Sequence, residues 1–175
     1  MTEDHVDRLL GRIDAAGIDL NLEVEGIVDR ISGINKRVKT ALKETLAEYG
    51  LTPEFWGVLT ALRLHKSRRS SPGALAVHLE LSSGAMTSRL DQLEKLGYVR
   101  RLPDPEDRRG VVVELTDEGL AAWDAAAGVQ GRKEAFFASA LTKEEQAQLN
   151  GLLRKLLSAL EERETARKVE AAARP

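Results

Sequence analysis

Apolar side chains recur every three or four residues along most of the chain, which predicts a mainly helical protein. Residues 1–19 are predicted to form a short amphipathic helix that ends near Gly17, with a frayed terminus as the alternative. A long helix is predicted over residues 22–49, and Gly50 terminates it. The buried stripe of this helix is predicted to contain Ile27, Ile31, Ile34, Val38, Leu42 and Leu46.

The next predicted helix begins with Thr52 as its capping residue and with Pro53 in its first turn. Its apolar positions predict a buried face made of Phe55, Trp56, Val58, Leu59 and Leu62. A basic loop over residues 65–70 follows. In this loop Arg68 and Arg69 either contact phosphates or belong to a solvated connector.

Two short helices joined by a tight turn are predicted over residues 71–97. Ser71 is expected to cap the first helix, and Ser82 is expected to cap the second. Leu75 and Leu79 lie one turn apart on the inner face of the first helix. The buried positions of the second helix are Met86, Leu90 and Leu93. The pattern predicts a helix-turn-helix unit.

The outer face of the second helix carries small, mostly uncharged side chains, where a solvated helix usually carries Lys and Glu. Its members are Ser83, Gly84, Thr87, Ser88 and Asp91. Small residues allow a helix to approach a DNA groove closely, and hydroxyl groups bond to bases or phosphates. A recognition helix has these properties. An ordinary exposed helix rich in Ser and Thr is the alternative.

A β-ribbon is predicted after Gly97. Residues 98–102 and 110–115 have strand composition, and the connection between them is too long for a tight turn. Its tip presents Arg108 and Arg109, and Asp107 is placed to orient a neighbouring guanidinium. Arginine on a stiff protruding loop suits insertion into the minor groove. A surface loop with weak local ion pairs is the alternative.

The C-terminal third is predicted to be helical. Thr116 caps a helix that runs to about Ala138, and residues 142–145 form a capping box for the last helix. That helix carries a wide leucine stripe made of Leu149, Leu152, Leu153, Leu156, Leu157 and Leu160. A single small lobe cannot cover this stripe. We expect it to pack with the N-terminal helices and with a second copy of the chain.

The amino-acid composition limits the classes of function that this protein can have. The chain has 175 residues, enough for one globular domain with a sizeable core, and a formal net charge of −2. Residues 53–119 contain ten Lys and Arg against ten Asp and Glu, so any DNA binding must rest on local placement of charge. The absence of cysteine excludes disulfides and thiol-based redox sensing. No signal peptide or membrane-length apolar run is present, so we expect a soluble cytoplasmic protein.

The sequence offers little support for catalysis. The three histidines, His5, His65 and His78, do not have metal-ligand spacing. The chain has no Gly-rich phosphate loop, nucleophile elbow or paired-carboxylate arrangement that would support an enzyme mechanism. We therefore expect a protein that is not an enzyme and that needs no metal or cofactor.

Four runs of sequence resemble the MarR family of winged helix-turn-helix regulators. They match in order and spacing, at residues 51–54, 82–94, 104–110 and 115–119. The most specific is the wing signature Asp-Pro-x-Asp-Arg-Arg followed by a strand and Leu-Thr-x-x-Gly. The resemblance extends over about residues 25–160.

The resemblance implies a triangular homodimer whose N- and C-terminal helices form the joint. A two-fold dimer presents the recognition helix twice, so the operator should be a near-palindrome with half-sites about 10 bp apart or a multiple of that. We expect a transcriptional repressor. The resemblance also implies release of the operator by a small molecule, often a phenolic or organic acid, whose identity the sequence leaves unknown. A winged-helix module for protein–protein contact, without specific DNA binding, is the alternative.

The extra N-terminal helix and residues 82–87 look like the urate-responsive branch of that family. That branch has a Trp on its N-terminal helix and an acidic residue directly after the Trp of the helix that begins at Thr52. In this chain residues 1–20 contain no Trp, and Gly57 follows Trp56. A urate site built in that way is therefore not expected here.

These arguments divide the chain into an N-terminal extension (1–20), a dimerisation region (21–50 and 120–162), a winged helix-turn-helix lobe (51–119) and a flexible tail (163–175). Arg89 flanks the buried stripe of the recognition helix, and we favour DNA over a ligand pocket as its target. The predicted DNA contacts are Ser71, Ser82, Ser83, Gly84, Thr87, Ser88, Arg89, Asp107, Arg108 and Arg109.

Overall fold

The structure, a computed structural model, describes residues 2–105 and 110–172. In these ranges seven helices and three strands follow in the order α1 (His5–Ala15), α2 (Leu22–Ala47), α3 (Pro53–Leu64), β1 (Arg69–Ser70), α4 (Pro72–His78), α5 (Ser83–Lys95), β2 (Val99–Pro103), β3 (Val111–Leu115), α6 (Asp117–Ala138) and α7 (Lys143–Ala172). The mainly helical architecture with a small β-wing is the one that the hydrophobic pattern predicts.

The chain separates into two compact units, Met1–Gly131 and Arg132–Pro175. The first unit contains the helix-turn-helix, the sheet and the N-terminal extension. The second contains the end of α6 and all of α7. No helix within residues 2–105 and 110–172 combines the length and the apolar character needed to cross a membrane.

Helix α1 is anchored to α2. Asp4 caps α1, accepting hydrogen bonds from the backbone N–H groups of Val6 and Asp7, and the Asp7 side chain completes a capping box. The Arg30 guanidinium of α2 pairs with both carboxylates, with Nε 3.0 Å from Asp4 Oδ2. Val6 is fully buried. The N-terminal segment is therefore a docked helix and not a frayed terminus.

The predicted buried stripe of α2 holds only for its C-terminal part. Leu46 is buried, and Val38 and Leu42 are half-buried. The prediction is wrong for Ile27, Ile31 and Ile34, which are exposed in the isolated chain. The reason is that α1 packs on a neighbouring face of α2, at Gly26, Arg30 and Gly33, and leaves the isoleucine face uncovered.

One hydrophobic core connects α2 through α6. It includes Val58, Leu59 and Leu62 of α3, as predicted, while Phe55 and Trp56 are half-buried at its edge. The buried positions that the other elements contribute are Leu46, Leu51, Leu75, Ala76, Met86, Leu90, Leu93, Val99, Val113, Leu115 and Ala126. The core therefore fixes the helix-turn-helix against the sheet.

The sheet is antiparallel in the order β1-β3-β2. Val99 pairs with Leu115, and Pro103 pairs with Val111 at the far end of the ribbon. β1 was predicted as part of a basic loop, but Arg69 pairs with Glu114 in register. A strand of two residues has no periodicity of its own, so only its partner strand reveals it.

The two C-terminal helices have the predicted caps. The Thr116 hydroxyl accepts a hydrogen bond from Gly119 N–H at 3.0 Å. Thr142 and Glu145 form the predicted capping box before α7. Helix α7 continues to Ala172, through residues predicted to be a flexible tail, because Ala, Glu, Arg and Lys are strong helix formers.

Candidate nucleic-acid interface

Helix α5 begins at a capped N-terminus and presents its predicted polar face to solvent. The Ser82 hydroxyl accepts from Ala85 N–H at 3.3 Å, and the first turn contains no acidic residue. The buried side of the helix consists of Met86, Leu90 and Leu93, as predicted. The positive end of the helix dipole therefore faces solvent without a compensating carboxylate, which favours an anionic ligand.

The outer face of α5 has a low profile. Ser83, Gly84, Thr87 and Ser88 are all exposed, and a Cβ placed on Gly84 would meet no atom within 4 Å. The Thr87 hydroxyl donates to the Ser83 carbonyl oxygen at 2.9 Å, which leaves its oxygen lone pairs available to an external donor. The structure thus places the predicted residues Ser82, Ser83, Gly84, Thr87 and Ser88 together on one accessible surface.

Two further predicted contacts, Ser71 and Arg89, lie at the start of α4 and on α5. Ser71 caps α4, and its hydroxyl oxygen accepts from Ala74 N–H at 3.1 Å. Arg89 is half-buried at the edge of α5. A hydrogen bond to the Thr52 side chain lowers the pKa of Glu54, and the positive charge of Arg89 adds to this effect. Arg89 therefore lies in the field of a carboxylate on α3 as well as near the recognition face.

The stem of the wing is regular up to its last described residues. Leu102 pairs with Val112, and the Asp104 N–H donates to the Gly110 carbonyl oxygen at 3.0 Å. These bonds hold the two ends of the connecting loop together. The predicted tip contacts Asp107, Arg108 and Arg109 lie outside the described residues, so their role stays a prediction.

A second group of charged side chains, which the sequence reasoning missed, joins α5 to the wing. The Arg101 guanidinium of β2 lies 2.7 Å from Asp91 Oδ1 through Nη2 and 2.5 Å from Glu94 Oε2 through Nη1. The Glu94 carboxylate also accepts from the Arg101 backbone N–H at 2.9 Å. Although burial opposes it, the hydrogen bonds to Asp91 and Glu94 raise the pKa of Arg101. We call these three residues the helix–wing clamp.

Arg69, from the predicted basic loop, forms an ion pair on the opposite face of the sheet. Arg69 Nη2 lies 2.5 Å from Glu114 Oε1, and Arg100 pairs with the other oxygen of the same carboxylate. These hydrogen bonds lower the pKa of Glu114, that from Arg69 most strongly. The arginines near the wing stem are therefore largely matched by carboxylates, in agreement with the balanced charge of the lobe.

An open cavity of about 600 Å³ lies between α3 and α4. Its lining includes the side chains of Trp56, Thr60, His65 and His78 over an apolar floor. Trp56 also stacks on Trp123 of α6, with ring centroids 5.1 Å apart. Trp56 is thus a packing residue that also borders a cavity. The parts of the chain that the structure describes contain no group of three or more His, Cys, Asp or Glu side chains able to hold a metal ion.

A helix-turn-helix followed at once by an antiparallel β-ribbon defines the winged helix-turn-helix class. A family model described as the MarR family matches residues 49–110, which span α3 to the wing. Multiple antibiotic resistance protein MarR of Escherichia coli (strain K12) is 33% identical over 140 residues, 79% of this chain and 96% of that protein. The chain belongs to the MarR family, and it is a DNA-binding transcriptional regulator.

Two further comparisons agree with this assignment. HTH-type transcriptional regulator PecS of Dickeya dadantii (strain 3937) is 31% identical over 136 residues, 77% of this chain and 82% of that protein. A crystal structure of a mutant E. coli MarR complexed with operator DNA superposes with a TM-score of 0.64 at 33% identity, covering 79% of this chain and 99% of that one.

Proposed function

We propose that this protein binds a specific double-stranded DNA operator as a homodimer, represses transcription there and is released by a small-molecule ligand. The observation that supports this proposal best is the outer surface of α5. Its exposed side chains are small and polar, its N-terminus is free of carboxylates, and its inner side is locked into the core. This combination suits a helix that enters the major groove with its N-terminal residues first.

The other predicted contacts support the same role. Ser71 lies at the start of α4, where its hydroxyl group suits a phosphate. The wing stem ends at the loop that carries Arg108 and Arg109, and arginine in such a loop suits the minor groove. We assign base reading to Ser82, Ser83, Gly84, Thr87 and Ser88, and minor-groove contact to the wing tip.

Uncovered apolar surfaces support the homodimer. Ile27, Ile31 and Ile34 are exposed on α2, and the six predicted leucines are exposed on α7 within its own unit. Large apolar patches on a soluble chain mark an interaction surface. A two-fold partner would present both recognition helices to one face of a duplex, with half-sites about 10 bp apart or a multiple of that.

Ligand release requires a ligand with different affinities for the DNA-bound and free forms. The α3–α4 cavity is large enough for such a ligand, since pockets for small molecules measure about 300–1,000 Å³. A bound dimer that covers its operator excludes other proteins from the same duplex, which makes repression the simplest outcome.

The proposal is tested by selecting bound sites from random duplex DNA with the purified 175-residue chain. We expect enrichment of a near-palindrome, with affinity reduced when Arg108 and Arg109 are both replaced by Ala and the dimer is retained. Small molecules are then screened for release of the selected duplex. Enrichment of no sequence by a folded, dimeric protein would overturn the proposal and favour a protein–protein interaction module.

A further inference from the structure

Neighbouring arginines of β2 point to opposite faces of the sheet. Arg100 pairs with Glu114 of β3, on the face that also carries Arg69 of β1. Arg101 is on the face of Val99, which is buried, and reaches the recognition helix instead. The alternation of side chains along a strand therefore gives two adjacent residues of identical chemistry two different partners.

The helix–wing clamp joins the two elements assigned to DNA reading. Glu94 holds Arg101 at two points, its backbone N–H and its guanidinium, while Asp91 binds the other end of the fork. Three hydrogen bonds between one strand residue and two helix residues restrict both sliding and rotation of β2 along α5. The Arg101 side chain is 28% exposed, so these charge-assisted bonds are partly shielded from water.

The clamp also changes the charge of the recognition face. Asp91 lies one turn beyond Thr87 on the outer side of α5, and its side chain is half exposed. A free carboxylate at this position would repel the phosphates of a duplex lying against the outer face of α5. Arg101 of β2 supplies the compensating charge, with Nη2 2.7 Å from Asp91 Oδ1, so α5 itself needs no cation for it.

We propose that Arg101 is a positioning residue for DNA recognition, which fixes the wing to the recognition helix through Asp91 and Glu94 so that both engage the duplex as one rigid unit. This inference rests on the proposed function. It assigns Arg101 no contact with DNA: the residue acts on affinity through the relative placement of α5 and the wing tip.

A double-mutant cycle on the operator selected above tests the coupling. The cost of Arg109→Ala in operator affinity is measured in the wild-type chain, in Arg101→Met and in Arg100→Gln. Arg100→Gln is the matched control, because it removes the same charge from the adjacent residue of the same strand without touching α5. A second variant, Asp91→Asn with Glu94→Gln, breaks the clamp while keeping Arg101, and serves if Arg101→Met does not fold.

We expect the cost of Arg109→Ala to fall at least about fivefold when the clamp is broken and to stay unchanged in Arg100→Gln. Circular dichroism and light scattering confirm that each variant keeps its fold and its oligomeric state. An equal cost of Arg109→Ala in all backgrounds would overturn the inference, as would a wild-type chain in which Arg109→Ala has no cost. Failure of the wild-type chain to bind any duplex is a separate result, and it would overturn the proposed function itself.

Discussion

Gly119 of α6 lies directly against the backbone of Tyr98, so that an added Cβ would be 2.1 Å from the Tyr98 carbonyl oxygen. That oxygen also accepts from Thr116 N–H at 3.1 Å, which ties the start of α6 to the residue before β2. The close approach of the two backbones fixes where α6 leaves the winged lobe. Only glycine fits at this position.

The first prediction follows from this contact. Gly119→Ala forces apart two backbone segments, so we expect the free energy of unfolding to fall by at least about 2 kcal/mol. Gly131→Ala in the same helix is the control, because no atom lies within 4 Å of the added Cβ. It should stabilise the chain by about 0.5–1 kcal/mol. Urea denaturation measures both, and equal stability of the two variants would contradict the close contact between Gly119 and the Tyr98 backbone.

Trp123 is expected to be the main side-chain link between α3 and α6. Its ring stacks on Trp56 with planes 7° apart, its Nε1 donates to Thr60 Oγ1 at 2.9 Å, and the Arg63 guanidinium lies 5.5 Å from the ring centroid. Trp123→Ala should lower the free energy of unfolding by about 3 kcal/mol. Trp123→Phe keeps a stacked ring and loses the hydrogen bond, so the free energy of unfolding should fall by only about 1 kcal/mol. If urea denaturation gives the same loss of stability for both variants, stacking contributes little to the stability of the chain.

Thr87 is predicted to contact a base and not a phosphate. Thr87→Ala should therefore alter the preference at one operator position by about 1–3 kcal/mol while other positions are unaffected. Thr165→Ala is a matched control, since Thr165 of α7 likewise donates to a carbonyl one turn earlier, Glu161 O at 2.8 Å. Affinities for a set of single-base operator variants measure the effect. A uniform loss over the whole set would make Thr87 a phosphate contact.

The leucine stripe of α7 is predicted to lie in the dimer interface. Leu153→Asp combined with Leu157→Asp places two charges in an apolar interface, so we expect monomers or unfolded chain. Lys155→Asp, on the other side of the same helix, should leave the dimer intact. Light scattering gives the mass, and circular dichroism separates a folded monomer from an unfolded chain. An unperturbed dimer in the double leucine variant would place the interface elsewhere.

Acid is expected to weaken the docking of α1. Backbone hydrogen bonding from Asp7 N–H, together with the Arg30 guanidinium, lowers the pKa of Asp4 from 3.8 to about 2. Because the folded-state pKa lies below the unfolded value, the stabilisation is complete above about pH 4 and is lost as the pH falls toward 2. The wild-type chain should exceed Asp4→Asn in stability at about pH 5, and most of this difference should be lost by about pH 2. A difference independent of pH would show that the charge of Asp4 is not responsible.

Much of the winged lobe follows from local patterns in the sequence. Thr52, Ser71 and Ser82 cap their helices as expected, because a capping hydroxyl and the amides that it serves lie within a few residues of each other. The buried stripe of α5 follows for the same reason, since one element's own periodicity defines its inner face. Both partners of each contact lie close together in the sequence, so a local pattern is enough to predict the contact.

Other features depend on residues far apart in the chain. The strand β1 exists only because Arg69 meets Glu114, and Ile27 is exposed only because α1 covers a neighbouring face of α2. The sequence shows two adjacent arginines, Arg100 and Arg101, without indicating which of them pairs with the carboxylates of α5. Their assignment required the register of β2 on β3.

The sequence by itself determined the seven helices of the described residues and the two wing strands, the caps of α3 to α7, the small polar face of α5 and the family of the chain. These are properties of single segments and of their spacing. The tertiary structure alone decided that Arg101 holds α5 to β2 while Arg100 pairs across the sheet. The physical reason is that pleat direction and strand register depend on how distant segments pack, and a one-residue change in register would exchange the two arginines.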